Sequence, residues 1–339
     1  MRRGVESFTF SLANQLANEN QIEIIIYSWN SNNKINWGVW NKNIKIRVVP
    51  FFKYFQKFWS IIFYNLWIIK DSPDCILINF LYHGELSLPK KLNYIYILHS
   101  PANQIPNRYI YIKKYLNKYR NINFVAVSKF VKDQACKYLP QNKISTIYNG
   151  VDTKIFKKVS QTNTKKIQLI SLSALEKRKR IQNVIFALSN LKDPNIYYNI
   201  YGDGSYFLKL KKFIEKNKMG GKIKLKGTTN YPQKCLNDSD VFILLSRGEA
   251  LPIAPLEAMS CGLPIIVSNE KPYNEIISED CGILVNPNSE DDIIKSIIKI
   301  KNKSLRIKLG NDSRVIVEKK FSLHKMKNKY IDLINRIIN

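Results

Sequence analysis

The sequence predicts an α/β fold built from two Rossmann-like halves facing each other across a cleft. Three observations carry that expectation: the length, a strand and helix alternation that runs twice, and a polar turn between the two runs. At 339 residues the chain exceeds one ordinary domain of roughly 100–200 residues and suits two. Apolar residues make up 45% of it and charged residues 24%, which supports a large core and excludes the disordered and collagen-like classes.

Taken in order, Phe8, Phe10, Leu12, Ala13, Leu16 and Ala17 recur near helical spacing across 7–17, so the chain opens on a helix. The run QIEIIIY at 21–27 reads as a buried strand. Further strands are expected at 44–49, 75–80, 94–98 and 123–127, most followed by helical stretches, which is the signature of a doubly wound parallel sheet. Asn149, Gly150, Val151 and Asp152, with the polar run from Lys157 to Lys166, place a domain junction after residue 150.

A second alternation follows over 151–320. Its strands are expected at 167–173, 197–201, 223–226, 241–245, 264–267 and 282–285. Its helices are expected near 181–191, 205–218, 232–237 and 255–260. The tail from 321 to 339 is an amphipathic helix, expected to cross back to the first domain. No internal repeat is visible.

The net charge of +28, from 54 Lys+Arg against 26 Asp+Glu, allows nucleic acid, an anionic membrane surface or an anionic substrate as partner. Lysines scattered among Asn and Ile also fit the codon bias of an AT-rich genome. Cys75, Cys136, Cys235, Cys261 and Cys281 form no C-x-x-C pair, which argues against a zinc site or disulfide framework and for a reducing cytoplasm. No stretch reaches the ~18 apolar residues of a membrane span. The aromatic run 51–69, with a few lysines, suits either a segment lying on an anionic bilayer or a helix covering the first sheet. The expectation is a cytoplasmic protein, peripheral at the inner face of the plasma membrane.

The most informative stretch is 246–267, SRGEALPIAPLEAMSCGLPIIV, laid out as strand end, loop, helix and strand. Pro252 and Pro255 suit a helix start, where a missing N–H costs nothing, and Gly262 suits its stop, so the helix should begin near Ala254. Glu249 then lies on the loop and Glu257 in the first turns. Between them are the free N–H groups of a helix N-terminus, which attract an anion. A carboxylate on each side could bind the hydroxyls of a nucleotide sugar. Taken singly, Glu257 could serve only the helix dipole and Glu249 only solvent.

Together these residues resemble the E-x7-E motif of the retaining family 4 glycosyltransferases of GT-B fold, in a variant close to E-G-L-P with Ala250 for its glycine. The likeness extends along the chain. Gly4-Val5-Glu6 resembles the family's opening G-G-x-E helix, and Val125-Ala126-Val127-Ser128 its V-S segment. Asn149-Gly150-Val151-Asp152 with Phe156 is similar to the hinge N-G-V-D-x3-F. Tyr201-Gly202-Asp203-Gly204 is similar to the G-x-G-P strand end.

The resemblance implies a metal-free, cofactor-free transfer of a sugar from a nucleotide sugar to a glycan or lipid-linked acceptor, with retention. By the same token Glu257 would bind the ribose hydroxyls and Glu249 the hydroxyls of the transferred sugar. Backbone N–H groups at Ala250, Leu251 and Ile253 would hold sugar and phosphate, with Gly202 at the neighbouring strand end. Lys179 would neutralise the diphosphate. The family's arginine five residues earlier is Ala174 here, and Arg178 or Arg180 is the candidate substitute. His99, ending an apolar strand, matches a histidine near the acceptor; His83 and His324 are read as structural. The departing diphosphate would take the acceptor's proton in a same-face displacement, with domain closure excluding water.

Family members open with a strand and a glycine-rich loop ahead of the first helix, and here that strand is missing. The expectation is a downstream start or a fragment, which brings an alternative reading as an inactive or truncated homologue that binds nucleotide sugar without turnover. Asp238-Ser239-Asp240 could be read as a cation-binding D-x-D, but its place before a strand of the second half argues for packing. A nucleic-acid binder would show aromatics interleaved with Lys/Arg on one face, and none is found. An epimerase of like architecture would need more catalytic histidines than the three present.

Overall fold

The computed structural model describes residues 4–19, 21–28, 39–48, 56–79, 89–116, 121–159 and 166–339. His83, part of the 157–166 run and the start of the 51–69 segment lie outside them. The backbone forms two compact units, one of Gly150–Ser322 and the other of Arg2–Asn149 with Leu323–Asn339.

The first of these along the chain opens with helix α1 (Gly4–Leu16), which buries Phe8, Leu12, Ala13 and Leu16 on one face. Strands β1 (Ile24–Ser28) and β2 (Ile44–Val48) pair in parallel, Ile24 opposite Ile44. Helix α2 (Gln56–Asp71) leads to β3 (Cys75–Ile78), β4 (Asn93–Leu98), helix α3 (Pro106–Leu116), β5 (Ile122–Ala126), helix α4 (Lys129–Ala135) and β6 (Ile144–Thr146). These last four strands form a second parallel sheet, β3-β4-β5-β6. The single sheet expected for this half is therefore found as two, because no described strand pairs with the free edges of β1 and β3. Their residues stay half-exposed throughout, where β4 is buried at five positions of six.

Polar and apolar contacts tie these parts together. The Arg47 guanidinium and the Tyr27 hydroxyl both donate to Asp71, at 2.7 and 2.8 Å. Ala13 and Ala17 of the α1 region pack with Ile44, Ile24 and Ile26. Helix α1 also carries the terminal helix of the chain: the rings of Phe8 and Tyr330 meet edge-on at 6.1 Å, and Lys327 pairs with Glu19.

The second unit holds β7 (Ile167–Leu172), α5 (Ile181–Leu191), β8 (Ile196–Tyr201), α6 (Phe207–Lys216), β9 (Ile223–Gly227), α7 (Pro232–Asn237), β10 (Val241–Leu244), α8 (Ile253–Ser260), β11 (Ile265–Ser268), α9 (Tyr273–Ile276), β12 (Gly282–Val285), α10 (Glu290–Lys299) and α11 (Lys303–Lys320). Helix α12 (Leu323–Ile338) belongs to the other unit. The sheet order is β12-β11-β10-β7-β8-β9, all parallel. The chain winds outward from β7 to β9, then returns to the other side of β7 with β10. That reversal opens a crevice at the carboxyl ends of β7 and β10, where open α/β sheets bind ligands.

Apolar runs fill the centre, as a sheet covered on both faces requires: every residue of β10 and β11 is buried. Helix α8 begins at Ile253, one residue before the expected start, and Gly262 ends it at a φ of 73°. Sequence periodicity left β6, α9, α10 and α11 unassigned. Helix α11 buries Leu309, Gly310, Ser313 and Val317, a face too small and polar to show as an apolar stripe. A Cβ on Gly310 would come within 2.2 Å of the Gly262 oxygen, so this helix docks through a bare backbone. In the aromatic segment, α2 buries Ile68 and exposes Trp59, Leu66 and Ile69. Among the described residues no helix is long and apolar enough to cross a membrane.

Candidate active site

Four strand ends and loops of the second unit converge on the crevice. After β7 the chain makes a tight turn at Lys177–Lys179, closed by Arg180 in a left-handed conformation. That turn buries the Lys179 side chain, which is only 9% exposed. After β10 the loop Ser246–Leu251 follows, and its Arg247 N–H donates to the Arg178 oxygen at 2.9 Å. Loop and turn are thus stitched together across the crevice.

The centre is Glu249. One carboxylate oxygen accepts from Lys179 Nζ at 2.6 Å and from Arg178 Nη1 at 3.0 Å. Burial alone would raise its pKa; the charges of Lys179 and Arg178 and a hydrogen bond from Ser246 outweigh it and hold the carboxyl below its usual range. Ser246 in turn shares its hydroxyl with the buried Tyr273, and Ser268 Oγ donates to the Ser246 oxygen at 2.7 Å. The sequence reading separated Glu249 and Lys179 into different roles; the structure brings them into one ion pair. It missed Ser246 and Tyr273. The position of Ser246 directly after a buried strand was the available signal for the first, and nothing local pointed to the second.

Eight residues past Glu249, beyond the start of α8, Glu257 meets a different environment. It has no ion-pair or hydrogen-bond partner among the described residues, and burial pushes its carboxyl up to about 7. Pro252 caps α8 without any side-chain hydrogen bond, and Pro252 and Pro255 carry no N–H. The uncapped donors at this helix start are therefore the Ile253 and Ala254 amides. Ala250 is half-buried and Leu251 buried beside them.

Gly202 ends β8 at a φ of 137°, and a Cβ there would lie 1.8 Å from the Ser173 oxygen. Only glycine allows this approach of the two strand ends. Of the two candidate substitutes at Ala174, Arg178 stays at the crevice, while Arg180 is bound to Glu270 at 2.8 Å. Asp240 is spent on the sheet: its carboxylate accepts from the Gln168 N–H at 2.8 Å. Among the described residues no group of three His, Cys, Asp or Glu could hold a metal ion.

In the other unit, His99 follows β4. Its Nε2 lies 3.1 Å from Asn79 Oδ1, and its ring meets Phe8 edge-on at 4.8 Å. Burial drives its pKa down to about 3, so the imidazole is neutral. The hydrogen bond to Asn79 orients the ring. A cavity of about 40 Å³ adjoins it, lined in part by Asn79, Tyr96, Arg108 and Tyr109, with room for a few waters or a hydroxyl group.

Comparison with known proteins fits this geometry. The model for glycosyl transferases group 1 matches residues 152–315, and that for glycosyltransferase family 4 matches 2–155. The chain is 25% identical to an uncharacterised glycosyltransferase of Methanocaldococcus jannaschii, over 99% of this chain and 95% of that one. It is 28% identical to a poly(ribitol-phosphate) alpha-N-acetylglucosaminyltransferase of Staphylococcus aureus, over 81% of this chain and 58% of that one. The structure of an Anabaena protein with bound UDP and glucose superposes with a TM-score of 0.80 at 15% identity, covering 98% of this chain and 96% of that one. With two parallel α/β units and both family models matched in sequence, the chain belongs to the group 1 glycosyltransferases of GT-B fold.

Proposed function

We propose that this glycosyltransferase moves a sugar from a nucleotide-sugar donor to a glycan or lipid-linked acceptor, with retention at the anomeric carbon and without a metal. The observation that carries the reading is the Lys179–Glu249–Arg178 cluster, its lysine buried and its arginine facing solvent, beside the uncapped start of α8. A carboxylate that already satisfies two cations can release them to a diphosphate while it turns to sugar hydroxyls.

In the proposed reaction Glu257 accepts from the ribose hydroxyls and Glu249 from those of the transferred sugar. The amides of Ala250, Leu251 and Ile253 hold sugar and phosphate, and Gly202 leaves room for them. As the sugar–oxygen bond breaks, negative charge grows on the diphosphate; Lys179, Arg178 and the helix start stabilise it. The departing diphosphate takes the acceptor hydroxyl's proton, and the acceptor oxygen bonds to the anomeric carbon on the same face. Neutral His99, oriented by Asn79, positions the acceptor. The exposed Trp59, Leu66 and Ile69 of α2, beside exposed Lys70, support peripheral contact of a cytoplasmic enzyme with an anionic membrane that carries the acceptor.

Calorimetry with a panel of nucleoside diphosphates and nucleotide sugars, in the presence of a chelator, tests this directly. One diphosphate should bind the wild type, and Glu257→Ala should lose most of that affinity. Binding that needs an added divalent cation, or that Glu257→Ala leaves intact, would overturn the assignment.

A further inference from the structure

Three groups support the Glu249 carboxylate, and a bound diphosphate would treat them differently. Lys179 and Arg178 both donate to its Oε1, and in the reaction proposed above both turn to the diphosphate. Desolvation, which disfavours the charged form, is then less opposed just when the carboxylate has to meet sugar hydroxyls. The third group is the Ser246 hydroxyl. Ser246 is fully enclosed by protein, so a ligand cannot draw it away.

Two contacts hold Ser246 in turn. Its carbonyl accepts from Ser268 Oγ, at the end of β11, at 2.7 Å, which fixes the backbone just after β10. Its hydroxyl meets Tyr273 Oη. A serine has one proton to give and an ionised carboxylate has none, so a Ser246 that donates to Glu249 accepts from Tyr273. Tyr273 is itself buried at the start of α9, and its N–H donates to the Glu270 oxygen at 2.9 Å. The Glu270 carboxylate pairs with Arg180, next to Lys179. The segment after β11 thus braces the Lys179 turn at one end and, through Ser246, Glu249 at the other.

We propose that Tyr273 is a positioning residue for sugar transfer: acting through Ser246, it keeps Glu249 in place for the hydroxyls of the transferred sugar while the two cations turn to the diphosphate. This rests on the nucleotide-sugar reading above. Tyr273 touches no ligand. A nucleoside diphosphate lacks the sugar, so its binding does not depend on Tyr273.

Tyr273→Phe keeps the ring in the core and removes only the hydroxyl. Calorimetry should show UDP-glucose bound about tenfold more weakly than by the wild type, with the affinity for UDP unchanged. Ser246→Ala should show the same pattern. The double variant should bind UDP-glucose no more weakly than Ser246→Ala, because members of one hydrogen-bonded chain do not add. Equal losses of UDP and UDP-glucose in Tyr273→Phe would make the tyrosine a support of the whole site and overturn the proposal. UDP-glucose affinity equal to that of the wild type would also overturn it. Losses that multiply to about a hundredfold in the double variant would overturn the route through Ser246. A wild type that binds neither ligand overturns the nucleotide-sugar reading, and the positioning role with it.

Discussion

The two units share an alternation of parallel strands and helices but bury it to different depths. In the second, six strands make one sheet, and β10 and β11 are enclosed at every residue. In the first, the strands fall into a pair and a set of four, and β1 and β3 stay half-exposed along their length. The difference decides what chemistry each can hold. A continuous, dry sheet can shield a carboxylate against a buried lysine, because low polarity strengthens the attraction that offsets desolvation. The more open unit keeps its one candidate group, His99, uncharged.

The largest effect expected from this contrast is on stability. Phe242→Ala, in the enclosed β10, should destabilise its unit by about 3–5 kcal/mol, as for large-to-small changes in a sealed core. Ile25→Ala in β1 should cost about 1 kcal/mol, because its side chain already meets solvent and less transfer energy is lost. Denaturant unfolding of the two variants measures both. Equal losses would mean that β1 is as enclosed as β10 in solution.

Catalysis should divide along the same line. Lys179→Ala removes the cation proposed to face the developing charge, and sugar transfer should fall by roughly 10²–10³, together with affinity for nucleoside diphosphate. His99→Ala should slow transfer by about 10² and leave diphosphate affinity unchanged. Initial rates and calorimetry on both variants separate the roles. If His99→Ala weakens diphosphate binding as much as Lys179→Ala does, the division between units is wrong.

Most of the second unit was legible in sequence because its strands are short apolar runs bounded by turn residues, and because Pro252, Pro255 and Gly262 punctuate α8 at both ends. The E-x7-E spacing placed Glu249 and Glu257 on either side of that helix start. What was not legible depends on adjacency in space. Glu249 meets Lys179 across 70 residues of chain only because β10 returns beside β7, and no local pattern encodes that return. His99 finds Asn79 20 residues away because β3 and β4 pair. Helix α11 escaped because it packs through Gly310 and Ser313 instead of an apolar stripe.

Within the second unit the comparison narrows to its two glutamates, and the last expected effect is a pH dependence belonging to one of them. Glu249 is held ionised by its cations, whereas burial lifts Glu257 from the ordinary 4.5 to about 7. A carboxyl whose pKa is raised on folding adds stability that is fully present below its unfolded value and is lost as pH rises through its folded value. The unliganded protein should therefore lose stability between about pH 4.5 and 7 on account of Glu257. Glu257→Gln should flatten that part of the profile by a few degrees of unfolding midpoint, roughly 2–4 °C per kcal/mol in a protein of this size. Ligand affinity should run the other way if Glu257 holds the ribose as proposed, because hydroxyls donate best to an ionised carboxylate. Diphosphate binding by the wild type should strengthen from pH 6 to 8, and Glu257→Gln should bind weakly at both. If the wild type's affinity is flat over that range while Glu257→Gln still binds weakly, Glu257 is already ionised when the ligand arrives, and both glutamates enter the reaction in the same charge state.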